Sequence, residues 1–402
     1  MAKEQENLFN LENLAFSSTK RKSKSPHKET QENILRRMAV SADVLEDDLK
    51  KIGQGKDYDS ILELLLRDQT KGIERFSVPV IYKGTILSEE YDFHMPHHII
   101  WATDNYRLRG EGYQIADEID VSAITGRKKR IIRPRAIKSK EEQRRRIKQK
   151  AEVFTPSWVC NAQNNLIDEA WFGCKDVFNH ENTDQTWTTN PKRIRFPKSQ
   201  GRTWLDYVNE RRLELCCGEG PYIVSRYDAT TGELIPIRER IGLLDRKLRV
   251  VRENIKPRKD LSLDENMRRW REGAYKAIRS IYGFEWQGDN LLLARENILV
   301  SFIEYFYDYC EEYHLDAQLK TSTLAHVAYI ISWNIWQMDG LKYIIPYSDQ
   351  NIVRQNELNF EPDSKHLPEN KDGIYAKIAH WTGKGREKYH QTFEFRDLIK
   401  SK

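Results

Sequence analysis

Glu214 opens the segment of this 402-residue chain whose residue types best suit holding a ligand, LELCCGEGPYIVSRYD, Leu213 to Asp228. It reads as a buried strand ending in an acid, then a glycine loop, then a helix-like continuation. A carboxylate there can accept hydrogen bonds from a cationic or hydroxyl-bearing group. Gly218 and Gly220 permit a tight turn and, lacking a Cβ, let a ligand lie against the main chain. Cys216 and Cys217 add only small side chains beside them. By itself such a loop is equally an ordinary turn. A second segment repeats the pattern: IYGFEWQGDNLLLAREN, Ile281 to Asn297, places Glu285 at the end of an apolar strand and Trp286 directly after it. The acid could accept a pair of hydroxyls, and the indole could stack on a planar ring.

Three other groups of residues could do chemistry. Arg127, Lys128, Lys129, Arg130, Arg133, Arg135, Lys138, Lys140, Arg144, Arg145, Arg146, Lys148 and Lys150 form a basic run offset only by Glu141 and Glu142. Phosphate neutralisation is the usual use of such density, and a solvated helix and linker is the ordinary alternative. Few aromatics interrupt the run, which points to backbone contact rather than base stacking. Asp92, His94, His97 and His98 hint at a metal or nuclease centre, but no second ligand cluster accompanies them, so a structural role is expected and no metal. The five cysteines form no CxxC pair, and Cys216 and Cys217 read as packing residues in a reducing compartment.

These residues need elements to position them. Residues 1–30 read as a mobile polar tail, and 31–125 as a small α+β module with a helix at Asp57–Asp68 and a strand at Phe76–Tyr82. Residues 126–150 form a basic linker and helix, with Ser139 and Glu142 as a capping box. The core runs from 151 to 350, with a strand at Leu213–Cys217 and another at Ile281–Glu285. Helices are expected at Ala274–Ser280, Asn290–Tyr309 and Leu315–Ser332. Strand and helix alternation of this kind predicts an α/β fold with a doubly wound, mainly parallel sheet. About sixty-five residues separate Glu219 from Glu285, far more than a crossover needs. Residues 229–272, including a charged helix with Leu243, Leu244, Leu248 and Val251 on one face, therefore read as an insertion. A C-terminal extension, 351–402, carries strands at Ile374–Trp381 and Gln391–Leu398.

Net charge is +5, no apolar run approaches the length of a membrane span, and the N-terminus lacks a secretory pattern. A cytoplasmic protein that touches no membrane is expected.

Taken in order, the segments resemble the adenine-specific DNA methyltransferases of restriction-modification systems, the family of restriction endonuclease subunit M. AEVFTP, Ala151 to Pro156, is similar to the segment whose Phe-Thr-Pro (here Phe154, Thr155 and Pro156) borders the methionine end of S-adenosylmethionine. ELCCGEGPY, Glu214 to Tyr222, resembles the family's DPACGSGxF loop, with Glu214 in the acid position and Gly218 and Gly220 in the glycine positions. Glu285, followed by Trp286, matches the ribose-binding acid and an adenine-stacking neighbour. NIWQMDGL, Asn334 to Leu341, is similar to the segment whose Asp, here Asp339, lies near the cofactor's adenine amino group. The resemblance covers roughly residues 130 to 400. It implies a class I methyltransferase fold, S-adenosylmethionine as cofactor, adenine N6 in double-stranded DNA as target, and restriction or specificity subunits as further partners in restriction-modification or phage defence.

One motif is missing. The family's [Asn/Asp/Ser]-Pro-Pro-[Tyr/Phe] segment grips the target amino group and stacks on a flipped base, yet no two prolines are adjacent in this chain. Pro346 and Tyr347 in Ile345-Pro346-Tyr347-Ser348 are the nearest candidates. The rival expectation is a non-catalytic DNA-binding or scaffolding subunit that retains the methyltransferase fold. A nuclease in residues 46–125 is the third.

Overall fold

The computed structural model describes residues 58–70, 74–82, 85–93, 97–128, 131–150, 152–197, 201–349, 373–381 and 390–400. The N-terminal tail, His94, Lys129 and Arg130 lie outside these residues. The described residues belong to one compact unit.

Helix α1, Tyr58–Leu66, buries Ile61, Leu62, Leu65 and Leu66. It precedes an antiparallel pair, β1 (Glu74–Tyr82) and β2 (Thr85–Phe93). The chain then runs without long regular elements through a short helix, α2 (Val121–Ile124), to the basic helix α3 (Lys140–Lys150). Ser139 caps α3 by accepting from the Glu142 N–H at 3.2 Å, as its spacing predicts. Helix α4 (Ser157–Phe172), the hairpin β3 (Asn179–Glu181) and β4 (Trp187–Thr189), and helix α5 (Trp204–Asn209) lead to the central sheet.

That sheet contains β5 (Arg212–Glu214), β6 (Ile281–Glu285) and β7 (Ile335–Gln337), parallel and in the order β5-β6-β7. Helices α6 (Leu243–Asn254) and α7 (Leu263–Arg279) lie between the first two strands in sequence, and α8 (Gly288–Glu312) and α9 (Thr321–Asn334) between the second pair. The fold is thus mixed α/β around a parallel sheet with helical crossovers. The reversal of strand order that defines a doubly wound sheet is not found among the described residues. Period-2 alternation sorts the strand residues between two faces. Tyr282, Phe284, Trp336 and Met338 pack with Ile345, Ala376, Ile378 and Phe395, under the C-terminal hairpin β8 (Lys377–His380) and β9 (Gln391–Glu394) and helix α10 (Phe395–Lys400). On the other face, a Cβ at Gly283 would sit 3.3 Å from Cys217 Sγ, so glycine lets the loop after β5 lie over β6.

Several expectations are corrected. The strand expected at Leu213–Cys217 ends at Glu214, and Leu213 and Leu215 are 41% and 65% exposed. No helix follows the glycine loop directly; the chain turns, and the next helix is α6. The segment taken for an insertion supplies crossover helices. α6 is largely buried, α7 buries one face, and Trp270 on that face sits among Phe302, Phe306 and Tyr309 of α8 with centroids 5.5–5.6 Å away. Gly273 lets α7 approach the end of α6, because a Cβ there would lie 2.6 Å from Ile255 Cδ1 and 2.9 Å from Val251 Cγ1. The second C-terminal strand is shorter than expected, since Phe395–Lys400 is helical.

The charges of α6 explain why it reads as solvated. The buried ones have partners inside the protein: Arg246 donates to Asp168 at 2.6 Å and to Asn161 and Asn165. Lys247 donates to the carbonyls of Val208 and Glu210 and to Ser280 Oγ, and burial holds its ammonium well below the usual lysine range.

Candidate functional site

The carboxyl ends of the three strands bring together acids that lie far apart in sequence. Glu285, the last residue of β6, is 8% exposed. Its Oε2 accepts from the Gly218 N–H at 2.9 Å, and its Oε1 from the Gln287 N–H at 3.1 Å. Burial outweighs these two bonds and pushes the carboxyl up to about 7. Gly218 and Gly220 have φ of +53° and +76°, the left-handed region that favours glycine. The loop is pinned across β6 by the Cys217 N–H, which donates to Phe284 O at 2.8 Å.

Glu214, at the end of β5, accepts from the N–H groups of Tyr222 and Ile223, and burial raises its carboxyl well above the usual range. Asp339 follows β7; its Oδ1 accepts from the N–H groups of Leu341 and Lys342, closing a turn. The Met338 N–H donates to Glu285 O at 3.0 Å, which places Asp339 beside the end of β6. Phe154 touches the loop from outside: a Cβ at Gly218 would lie 3.5 Å from its ring. Thr155 O accepts weakly from Cys160 Sγ, and Pro156 precedes α4, whose first N–H donates to Asp228 at 2.7 Å.

Trp286 is partly buried. Its Nε1–H donates to Ala102 O at 3.1 Å, and its ring meets Tyr347 edge-on, with centroids 5.4 Å apart. Pro346 is buried, and Tyr347 holds φ +62°. Ala102, Cys216 and Tyr347 are all non-glycine residues at positive φ beside this edge, and strained backbone of this kind gathers at functional sites.

Sequence reading missed the segment that finishes the edge. Residues 97–102 run past the ends of β6 and β7. The Gln337 side chain accepts from the Ile100 N–H at 2.9 Å and donates to Ile100 O at 2.8 Å and Trp286 O at 2.8 Å, serving as a strand partner. The Gly288 N–H donates to Trp101 O, and a Cβ at Gly288 would lie 2.1 Å from Ile100 O. An amide in the otherwise apolar run Ile335-Trp336-Gln337-Met338 and a glycine opening α8 were the available signals. Behind this segment, buried Asp289 accepts from Tyr106 at 2.8 Å and Arg146 at 2.9 Å.

The basic run divides. Arg127, Lys128, Arg133, Arg144 and Arg145 are exposed, whereas Lys129 and Arg130 lie outside the described residues. Arg135 is half-buried, with its N–H on Glu219 Oε1 at 2.6 Å and its guanidinium over Phe154. Arg146, expected on a nucleic-acid surface, is 1% exposed and bonded to Glu152 and Asp289. It is an interior cation. His97 and His98 contact Glu118 at 3.1 Å and Glu63 at 2.6 Å. No group of three or more His, Cys, Asp or Glu residues arranged to hold a metal occurs among the described residues. Neither does a helix long and apolar enough to cross a membrane.

A separate cleft is ringed by Arg238, Arg240, Arg246, Arg249 and Arg252. Its guanidiniums are committed to Asp308, Glu312, Glu304, Asp168 and Glu253, which leaves an ion-pair network rather than an anion site.

No protein-family model, curated protein or solved structure matches this chain. What can be said of its class rests on the fold and the site: a mixed α/β protein with a parallel sheet and buried acids at the sheet's carboxyl edge.

Proposed function

We propose that the chain binds S-adenosylmethionine at this edge and transfers its methyl group to adenine N6 in DNA, within a restriction-modification or phage-defence system. One observation carries the reading. Gly218 and Glu285, sixty-seven residues apart in sequence, meet by a 2.9 Å hydrogen bond at the carboxyl ends of adjacent parallel strands. In open α/β sheets that edge is where nucleoside cofactors lie.

The setting of the loop favours this cofactor over a nucleotide. Glycine loops that bind phosphate lead into a helix N-terminus, but this loop leads into turns and lies among buried Glu214, Glu219 and Glu285. Burial raises all three carboxyls. A phosphate finds no helix N-terminus there, whereas a nearby sulfonium or ammonium would favour the ionised form of these acids. In this reading Glu285 accepts the ribose hydroxyls, Trp286 lies along the adenine and Asp339 accepts from its amino group. Phe154, Thr155 and Pro156 border the methionine end. The bound cofactor supplies an electrophilic methyl group, and the protein contributes position and exclusion of water.

The catalytic half of the reading has a rival. Ser348 Oγ donates to Ile345 O and accepts from the Ile374 N–H, so the serine hydroxyl of the Ile345–Ser348 segment is committed to backbone and the segment carries no amide or carboxylate for a target amine. That favours a DNA-binding subunit with a retained fold. Calorimetry with S-adenosylmethionine, and label transfer from its tritiated form to mixed-sequence DNA, separate the two. Methyl transfer that disappears in Glu285→Ala supports the enzyme. Cofactor binding without transfer leaves the scaffold, and absence of binding removes both the cofactor and the methyltransferase.

A further inference from the structure

Lys138 belongs to the basic run by sequence but not by position. It is 5% exposed, and its Nζ has no hydrogen-bond partner. Burying an ammonium without partners is costly, so such a group points to something absent. Its backbone is fixed: the Arg135 N–H donates to Glu219, and Gln143 Nε2 donates to the carbonyls of Arg135 and Lys138 at 2.9 Å each.

The nearby acids do not answer it. Glu219 accepts from the Arg135 N–H and the Tyr227 hydroxyl. Asp289 accepts from Tyr106 and Arg146. Burial raises the Glu219 carboxyl against the pull of Lys138. At Asp289, burial is overcome by Arg146 and then Lys138, which places the ammonium near both.

Two buried acceptors in the same neighbourhood are also unpartnered. They are Glu152 Oε1, in a residue 7% exposed, and Gln287 Oε1, in one 8% exposed. Both side chains are held in place by their other atoms, since Glu152 Oε2 accepts from Arg146 at 3.0 Å and from Gln287 Nε2 at 3.4 Å. Gln287 follows Glu285 by two residues, and Glu152 precedes Phe154 by two, so this set adjoins the glycine loop.

One cation and two acceptors without partners describe a zwitterion in negative relief: a carboxylate for the lysine and an ammonium for the two oxygens. We infer that Lys138, Glu152 and Gln287 form the subsite for the α-amino-carboxylate end of the bound ligand, so that part of the basic run reads the ligand rather than nucleic-acid phosphate. This rests on the cofactor reading above.

The test compares S-adenosylhomocysteine with 5′-methylthioadenosine, which shares the nucleoside but lacks the amino acid, by calorimetry on the full chain. Lys138→Met should weaken the first roughly ten- to hundredfold, the worth of a charge-assisted hydrogen bond, and leave the second within about twofold, with partial rescue in Lys138→Arg. Glu152→Gln makes the same comparison if Lys138→Met does not fold. Equal losses for both ligands, or no loss for either, would overturn the subsite. Wild-type protein that binds both ligands equally would overturn it while sparing the nucleoside site. Wild-type protein that binds neither removes the cofactor reading as well.

Discussion

Glu285 loses its water on folding, receives the N–H groups of Gly218 and Gln287 in return, and has the Asp289 carboxylate near enough to oppose its ionisation. Its carboxyl, ordinarily at 4.5, rises to about 7. A raised carboxyl stabilises the folded state while it is protonated, below about 4.5, and that contribution is lost as pH climbs through about 7. The shift corresponds to on the order of 3 kcal/mol. Urea unfolding at pH 5 and pH 8 should therefore move the relative stability of Glu285→Gln and wild type toward the variant by up to about that amount. A pH-independent difference would refute it. Hydroxyls of the proposed ligand bond best to the ionised acceptor, so affinity should rise as pH climbs through about 7 and level off above it. Of the residues at this edge, Glu214, Glu285 and Asp339 are legible in sequence, because an acid closing an apolar strand is a local pattern. Lys138, Gln337 and Tyr106 are not, since their roles come from partners that only folding brings near.

At the scale of elements, α8 and β6 are where sequence expects them because their apolar runs are long or bounded by an acid and a glycine. Helix α6 is misread for the opposite reason: Asp245, Arg246, Lys247 and Arg252 mimic a wet face, yet all are buried. Interior charge pairs are costly to break one partner at a time. Arg246→Met leaves Asp168 buried with only the Tyr207 hydroxyl, Oδ1 to oxygen 2.9 Å. It should cost about 3–5 kcal/mol in chemical denaturation. A loss below about 1 kcal/mol would mean that water reaches Asp168.

For the whole molecule, the exposed cations and the buried ones predict separate phenotypes. Replacing exposed Arg144 and Arg145 with alanine should leave the melting temperature unchanged and reduce the slope of log affinity against log salt on duplex DNA by about 1.8. Arg146→Ala should instead lower the melting temperature, since Asp289 and Glu152 lose their cation. An unaltered salt slope in the double variant would remove Arg144 and Arg145 from the proposed DNA contact.

The contact between Ile100 and Gln337 spans 237 positions. During synthesis the earlier partner leaves the ribosome long before the later one exists. At about 5–20 residues per second the interval is roughly 12–50 s. Ile100, 2% exposed in the finished protein, lacks its β7 partner for that time. A nascent chain stalled before residue 335 would therefore expose this segment to chaperones or proteases, and the ligand edge would close only when translation is nearly done.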